Sequence, residues 1–135
     1  MNSEVQKSKI LIAEDNLINQ KLLTRLLQKI SVDFTIVSNG EEAVIATQNE
    51  KYDIVFMDIH MPVMDGLEAT QAIRKDNSSS ADIKIIAMTA NIMKEDYDKF
   101  MQIGMNDVIT KPFTLDDFIN MINQHSNKTP IPPRN

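Results

Sequence analysis

The sequence predicts an α/β domain: a doubly wound five-stranded parallel sheet with helices on both faces. Three observations predict it. Short apolar runs alternate five times with stretches of helical periodicity along the 135 residues. The runs "ILIA", "IVFM" and "IIAM" are apolar without interruption, as strands covered on both faces must be. A helix between successive parallel strands imposes right-handed crossovers, and of the two common doubly wound orders, five strands favour 2-1-3-4-5.

Lys9 opens the first strand, whose apolar core Ile10, Leu11, Ile12 and Ala13 closes on Glu14 and Asp15. Leu22, Leu23, Leu26, Leu27 and Ile30 then recur at helical spacing, with Lys21, Arg25, Gln28 and Lys29 opposite them. That pattern predicts an amphipathic helix over roughly Asn16 to Ile30. "DFTIVS" is shorter and more alternating, as suits an edge strand, and Asn39-Gly40 opens a helix to about Asn49. "DIVFMD" is the third strand, followed by a helix from about Gly66 through Lys75 and the polar loop "DNSSSAD". "IKIIAMTA" is a fourth buried strand, and a helix over about Met93 to Ile103 is stopped by Gly104. "DVITKPF" holds a short fifth strand. Thr114 with Asp117 three residues on resembles an N-cap for a last helix to about Gln124. The chain therefore divides into a flexible N-terminal segment, 1–8, one domain over 9–125, and a Pro-rich polar stretch, 126–135, expected to be a disordered tail or linker.

Composition narrows the function. A net charge of -5 without a basic stripe argues against direct nucleic-acid binding by phosphate attraction. The absence of cysteine excludes disulfides, zinc-thiolate sites and a Cys nucleophile. No apolar run is long enough to span a bilayer, and "MNSEVQKSK" is too polar and short for a signal peptide, so membrane insertion by this segment is not expected and a cytoplasmic location is. Gly40, Gly66 and Gly104 are scattered, which leaves no Gly-rich nucleotide loop.

Four of the five strands end on a functional group: Glu14 and Asp15, then Asp58, Thr89 and Lys111. Ligands in doubly wound sheets bind outside the carboxyl ends of the strands, where the order 2-1-3-4-5 gathers all five side chains. Singly, Asp58 reads as a turn acid, Thr89 as a turn hydroxyl and Lys111 as a solvated cation. Their shared edge outweighs those readings. Three carboxylates in one pocket push each other toward protonation, and one lysine cannot balance them. A hard divalent cation can, and an incomplete carboxylate set with room for water suits Mg²⁺ better than a calcium cage. Lys111 and the Thr89 hydroxyl suit an anionic group beside the metal, as phosphoryl transfer requires. With no Cys, and neither His60 nor His125 at a strand end, the central carboxylate Asp58 is the candidate nucleophile.

The motifs "IAEDN", "VFMDIHMPVMDG", "IIAMTA" and "ITKPF", in this order over about Lys9 to Gln124, resemble the receiver domains of two-component response regulators. The resemblance implies a flavodoxin-like fold in which Asp58 is the phosphoacceptor, taking its group from a phosphohistidine on a histidine kinase or histidine phosphotransfer domain. It implies that Asp15, Asp58 and the backbone carbonyl of His60 ligate Mg²⁺, with Glu14 acting through a bound water. Lys111 would pair with the phosphoryl oxygens, Thr89 would hydrogen-bond one of them, and Lys111-Pro112 would be a cis peptide. Such a domain switches conformation and turns over no external substrate, apart from promoting its own phosphorylation and dephosphorylation.

Two positions depart from the family pattern. Glu14 stands where Asp is frequent, and Val108 where many receivers carry Tyr or Phe. Without a ring at 108, a signal would travel instead through the loop before the fourth helix. "DNLINQKLLTRLL" and "MDIHMPVMDG" look most like receivers of hybrid sensor histidine kinases, a free-standing relay protein being the alternative. Two rival functions remain at this point: a metal-dependent phosphatase with an aspartyl intermediate, and a phosphorylation-independent binding module.

Overall fold

The computed structural model describes residues 5–76, 82–90 and 93–132. Strands β1 (Ser8–Ala13), β2 (Val32–Val37), β3 (Ile54–Asp58), β4 (Lys84–Thr89) and β5 (Asp107–Thr110) alternate with helices α1 (Leu17–Leu27), α2 (Gly40–Asn49), α3 (Gly66–Lys75), α4 (Lys94–Ile103) and α5 (Leu115–His125). The sheet is parallel throughout, in the order β2-β1-β3-β4-β5. Of the predicted polar loop, residues 77–81 lie outside the described residues, as do 91–92 of the loop before α4.

Alternation along the strands sorts the apolar residues onto two faces. Ile10, Ile12, Phe56, Ile86 and Met88 point one way and pack with Leu23 and Leu27 of α1 and Phe118, Ile119 and Ile122 of α5. Leu11, Ala13, Val55, Met57, Ile85 and Ala87 point the other way, against Ala43, Ala69, Ile73 and Phe100 of α2, α3 and α4. Phe56 meets Phe118 edge-to-face, with ring centroids 4.9 Å apart. Each such large side chain, fully buried, contributes roughly 1.5–3 kcal/mol.

Helix starts follow the side chains that precede them. Asn16, Asn39, Asp65 and Thr114 each accept the N–H three residues on, and at α3 and α5 Glu68 and Asp117 return the bond to the cap's own N–H. Helix α1 stops about a turn short of Ile30. The N–H groups of Lys29 and Ile30 bond to the carbonyls three residues back, which tightens the chain into the turn that enters β2. At the opposite end of the sheet from the strand-end carboxylates, the half-buried Arg74 guanidinium donates to the carbonyls of Ile83 (2.6 Å) and Gly104 (2.8 Å) and to Asn106 Oδ1 (2.8 Å). One side chain thus joins α3, the entry to β4 and the end of α4.

Residues 126–132, within the stretch expected to be a disordered tail or linker, lie against the domain, while 133–135 lie outside the described residues. Ile131 is buried in the α1/α5 core. The Asn123 side chain donates to the Ile131 carbonyl and accepts its N–H, both at 2.8 Å, so the backbone there is satisfied without secondary structure. Gln6 and Thr129 exchange bonds of 2.8 and 2.9 Å, Ser8 Oγ meets Ser126 Oγ at 2.6 Å, and Lys128 pairs with Asp53 at 3.1 Å. Gln6 and Ser8 are thereby bonded to 126–129, with Ser8 in β1, and 1–4 lie outside the described residues. The composition of the strap is that of a linker; one apolar residue between prolines finds a slot. Ile131→Ala should lower the unfolding free energy in urea by about 2 kcal/mol, the lower end of the range for a buried Ile. A change below about 0.5 kcal/mol would mean that the strap does not contribute to the fold.

Candidate functional site

Asp58 ends β3 and is buried, opposite Met88 of β4. Its placement depends on the loop that follows. The Gly66 N–H returns to the Ile59 carbonyl at 3.0 Å, and a Cβ at Gly66 would lie 2.2 Å from the Asp58 carbonyl oxygen, so no larger residue fits. Within the loop, the Met64 N–H closes on the Pro62 carbonyl at 2.7 Å around Val63 at φ 69°, a γ-turn of the rare positive-φ kind. A β-branched residue there stores roughly 1–3 kcal/mol of strain, which the surrounding contacts must hold. One such contact is the Met64 carbonyl, which accepts the Gly40 N–H at 2.9 Å and sits 2.4 Å from where a Cβ on Gly40 would lie. The α2 start and the β3–α3 loop therefore interlock through two glycines.

The other groups come from neighbouring strand ends. Glu14, just past β1, is 1% exposed; its Oε2 accepts the Asn16 N–H at 3.1 Å. Asp15 is exposed beside it. One carboxylate oxygen from each of Glu14, Asp15 and Asp58 lies within 4.8 Å of the others. Lys111 Nζ lies between two of them, 3.6 Å from Glu14 Oε1 and 3.7 Å from Asp58 Oδ2. The Lys111–Pro112 peptide is cis, as the resemblance implies. The Lys111 N–H bonds to the Thr89 carbonyl at 2.8 Å, and the Thr89 side chain is buried at the end of β4. The His60 ring is exposed, whereas its backbone N–H faces Asp58 Oδ1 at 3.4 Å. His125 lies away from the site, 3.0 Å from Asp107.

Electrostatically the cluster is unbalanced. Two like charges at about 4 Å repel by about 4 kcal/mol at the effective dielectric of a protein surface. Burial and then the charge of Asp58 push the Glu14 carboxyl above its ordinary value, while the Asn16 N–H and Lys111 pull it down. Because the folded value is raised, protonation of Glu14 favours the metal-free fold, and that contribution is lost as pH rises through the raised value. Glu14 Oε1 is buried and has no hydrogen-bond donor among the described residues. An orphaned carboxylate oxygen, two further carboxylates and a single lysine fit a small divalent cation with oxygen ligands.

Sequence reasoning named Glu14, Asp15, Asp58, Thr89 and Lys111; the structure places Lys111 within ion-pair distance of Glu14 and Asp58, Asp15 within 4.8 Å of those two carboxylates, and Thr89 at the adjoining strand end. It missed Gln20. The Gln20 Nε2 donates to the Glu14 carbonyl at 2.5 Å and to Ser38 Oγ at 3.1 Å. The only signal was a polar residue one turn beyond the Asn16 cap.

The response regulator receiver domain model matches residues 10–123. Hybrid signal transduction histidine kinase I of Dictyostelium discoideum is 44% identical over 116 residues, 82% of this chain and 7% of that protein. The chain thus spans a small fraction of the curated relatives it matches. The receiver domain of a sensor histidine kinase from Pseudomonas aeruginosa PAO1, solved with a magnesium ion coordinated in its active site cleft, is 33% identical with a TM-score of 0.81, covering 89% of this chain and 98% of that one. The co-crystal structure of the Saccharomyces cerevisiae histidine phosphotransfer protein Ypd1 with the receiver domain of its downstream response regulator Ssk1 matches at 32% identity and TM-score 0.81, covering 92% of each chain. Among the described residues, no helix is long and apolar enough to cross a membrane.

Gly66→Ala should destabilise the protein by about 2 kcal/mol or more in urea unfolding, because the Asp58 carbonyl that a methyl would strike is backbone. An unchanged midpoint would mean that the loop accommodates a side chain and does not fix Asp58.

Proposed function

The chain belongs to the response regulator receiver domain family, and from that premise we propose that Asp58 accepts a phosphoryl group from a phosphohistidine of a histidine kinase or histidine phosphotransfer domain. The reading rests above all on the buried Asp58 sharing Lys111 with Glu14 at the carboxyl edge of the sheet. An Asp58 carboxylate oxygen attacks phosphorus, the phosphorus–nitrogen bond breaks, and its electron pair stays on the imidazole. Lys111 counters charge on the phosphoryl oxygens, and the Thr89 hydroxyl donates to one of them once the group is transferred. Asp15, Asp58 and the His60 backbone carbonyl would hold Mg²⁺, with Glu14 acting through water. When bound, the ion neutralises the carboxylates and the phosphoryl oxygens.

Burial of Asp58 keeps bulk water away from the acyl phosphate, and the domain turns over no external substrate. The added charge shifts the Thr89 strand end and hence the conformation that cytoplasmic partners distinguish. A docking face is available beside the acceptor. Leu17, Ile18 and Leu22 of α1 are exposed, and an apolar groove of about 330 Å³, with Leu22, Leu26, Pro112 and Phe113 in its walls, reaches Glu14 and Lys111.

Incubation with a small acyl-phosphate donor should add one phosphoryl mass in the presence of Mg²⁺. Chelation should abolish that adduct, and so should Asp58→Asn. An adduct that survives both would overturn the assignment; steady turnover of a phosphate ester would favour the aspartyl phosphatase instead.

A further inference from the structure

We infer that Gln20 is a positioning residue for the metal-binding carboxylates; the inference rests on the Mg²⁺ reading above. Asp15 is exposed and lies past the end of β1. What orients it is the peptide that joins it to Glu14. The Glu14 N–H is held by the Val37 carbonyl at 3.0 Å, which fixes the strand side of this turn. On the helix side, the Gln20 carboxamide reaches back from α1 to the Glu14 carbonyl, the oxygen of the peptide preceding Asp15.

The same nitrogen also donates to Ser38 Oγ, and the Ser38 N–H is in turn held by Glu42 Oε1 at 2.7 Å. Gln20 is thereby anchored to the β2–α2 turn as well as to its own helix. Its amide donates to that carbonyl and to Ser38 and to no carboxylate among the described residues, so its effect is exerted through the backbone. Loss of the amide would free the Glu14–Asp15 peptide to rotate, spreading Asp15 over orientations of which few converge with Glu14 and Asp58. Divalent-cation affinity should then fall while the fold persists, since α1 keeps its cap and its buried Leu23 and Leu27.

The test is calorimetric titration of the full chain with Mg²⁺, repeated with Mn²⁺, on wild type, Gln20→Met and Leu27→Ala. Methionine keeps the length and removes the donor. Leu27→Ala loosens α1 without touching the Glu14 carbonyl and controls for stability. The expected result is a loss of about tenfold or more in affinity for Gln20→Met, in the range found for partners that orient metal ligands. Leu27→Ala should stay within twofold of wild type despite a lower Tm. Equal affinities for Gln20→Met and wild type would overturn the inference and leave the Mg²⁺ reading intact. An equal loss in Leu27→Ala would also overturn it, by making the effect one of general stability. A wild-type chain that binds neither cation would overturn the Mg²⁺ reading itself.

Discussion

The structure is organised around an uncompensated charge. Two carboxylates, Glu14 and Asp58, are buried at the carboxyl edge of the sheet, a third sits within 4.8 Å, and one lysine faces them. Burying ionised groups without full pairing is unfavourable, and a sequence under selection for stability alone would remove them. The rest of the fold makes the arrangement tolerable. Apolar packing on both sheet faces supplies the stability, and the edge where strands β1, β3 and β4 end leaves the charges partly open to a cation and a phosphoryl group.

The same constraint accounts for details remote from chemistry. Gly66 permits the close return of the chain onto Asp58, and the strained turn at Val63 is held by the α2 start through Gly40. Thus Asp58 is fixed by the β3–α3 loop, which the start of α2 holds in turn. The opposite end of the sheet is closed by Arg74 and by the strap from Ser126 to Pro132, so the two ends of the domain have separate tasks. Where the family pattern would place a ring, Val108 borders a hollow of about 330 Å³ with Tyr97 and Met121.

The fold was readable because each signal was local: uninterrupted apolar runs for strands buried on both faces, helical spacing between them, and an Asn, Asp or Thr before four of the helices. The strand-end carboxylates were readable because topology turns sequence position into spatial position. Other features depend on contacts between distant segments. Nothing local in "SNKTPIPPRN" tells that Ile131 has a slot in the α1/α5 core, or that Asn123 satisfies its backbone. Likewise, Gln20 reads as one more polar residue on an amphipathic helix until the Glu14 carbonyl is seen beneath it. The early end of α1 was missed because Ile30 keeps the helical spacing, although the chain must already turn toward β2.

The central claim is that the cluster carries excess negative charge that a divalent cation relieves. Thermal unfolding of wild type and Asp15→Asn, each with chelator and with saturating Mg²⁺, tests it most directly. With chelator, Asp15→Asn should melt above wild type, because one unpaired repulsion is gone. Mg²⁺ should raise the wild-type Tm by several degrees, as a ligand bound only to the folded state must, and should raise that of Asp15→Asn far less. A wild-type Tm indifferent to Mg²⁺, together with an Asp15→Asn variant that melts below wild type in chelator, would contradict the claim and make the carboxylates part of a self-sufficient network.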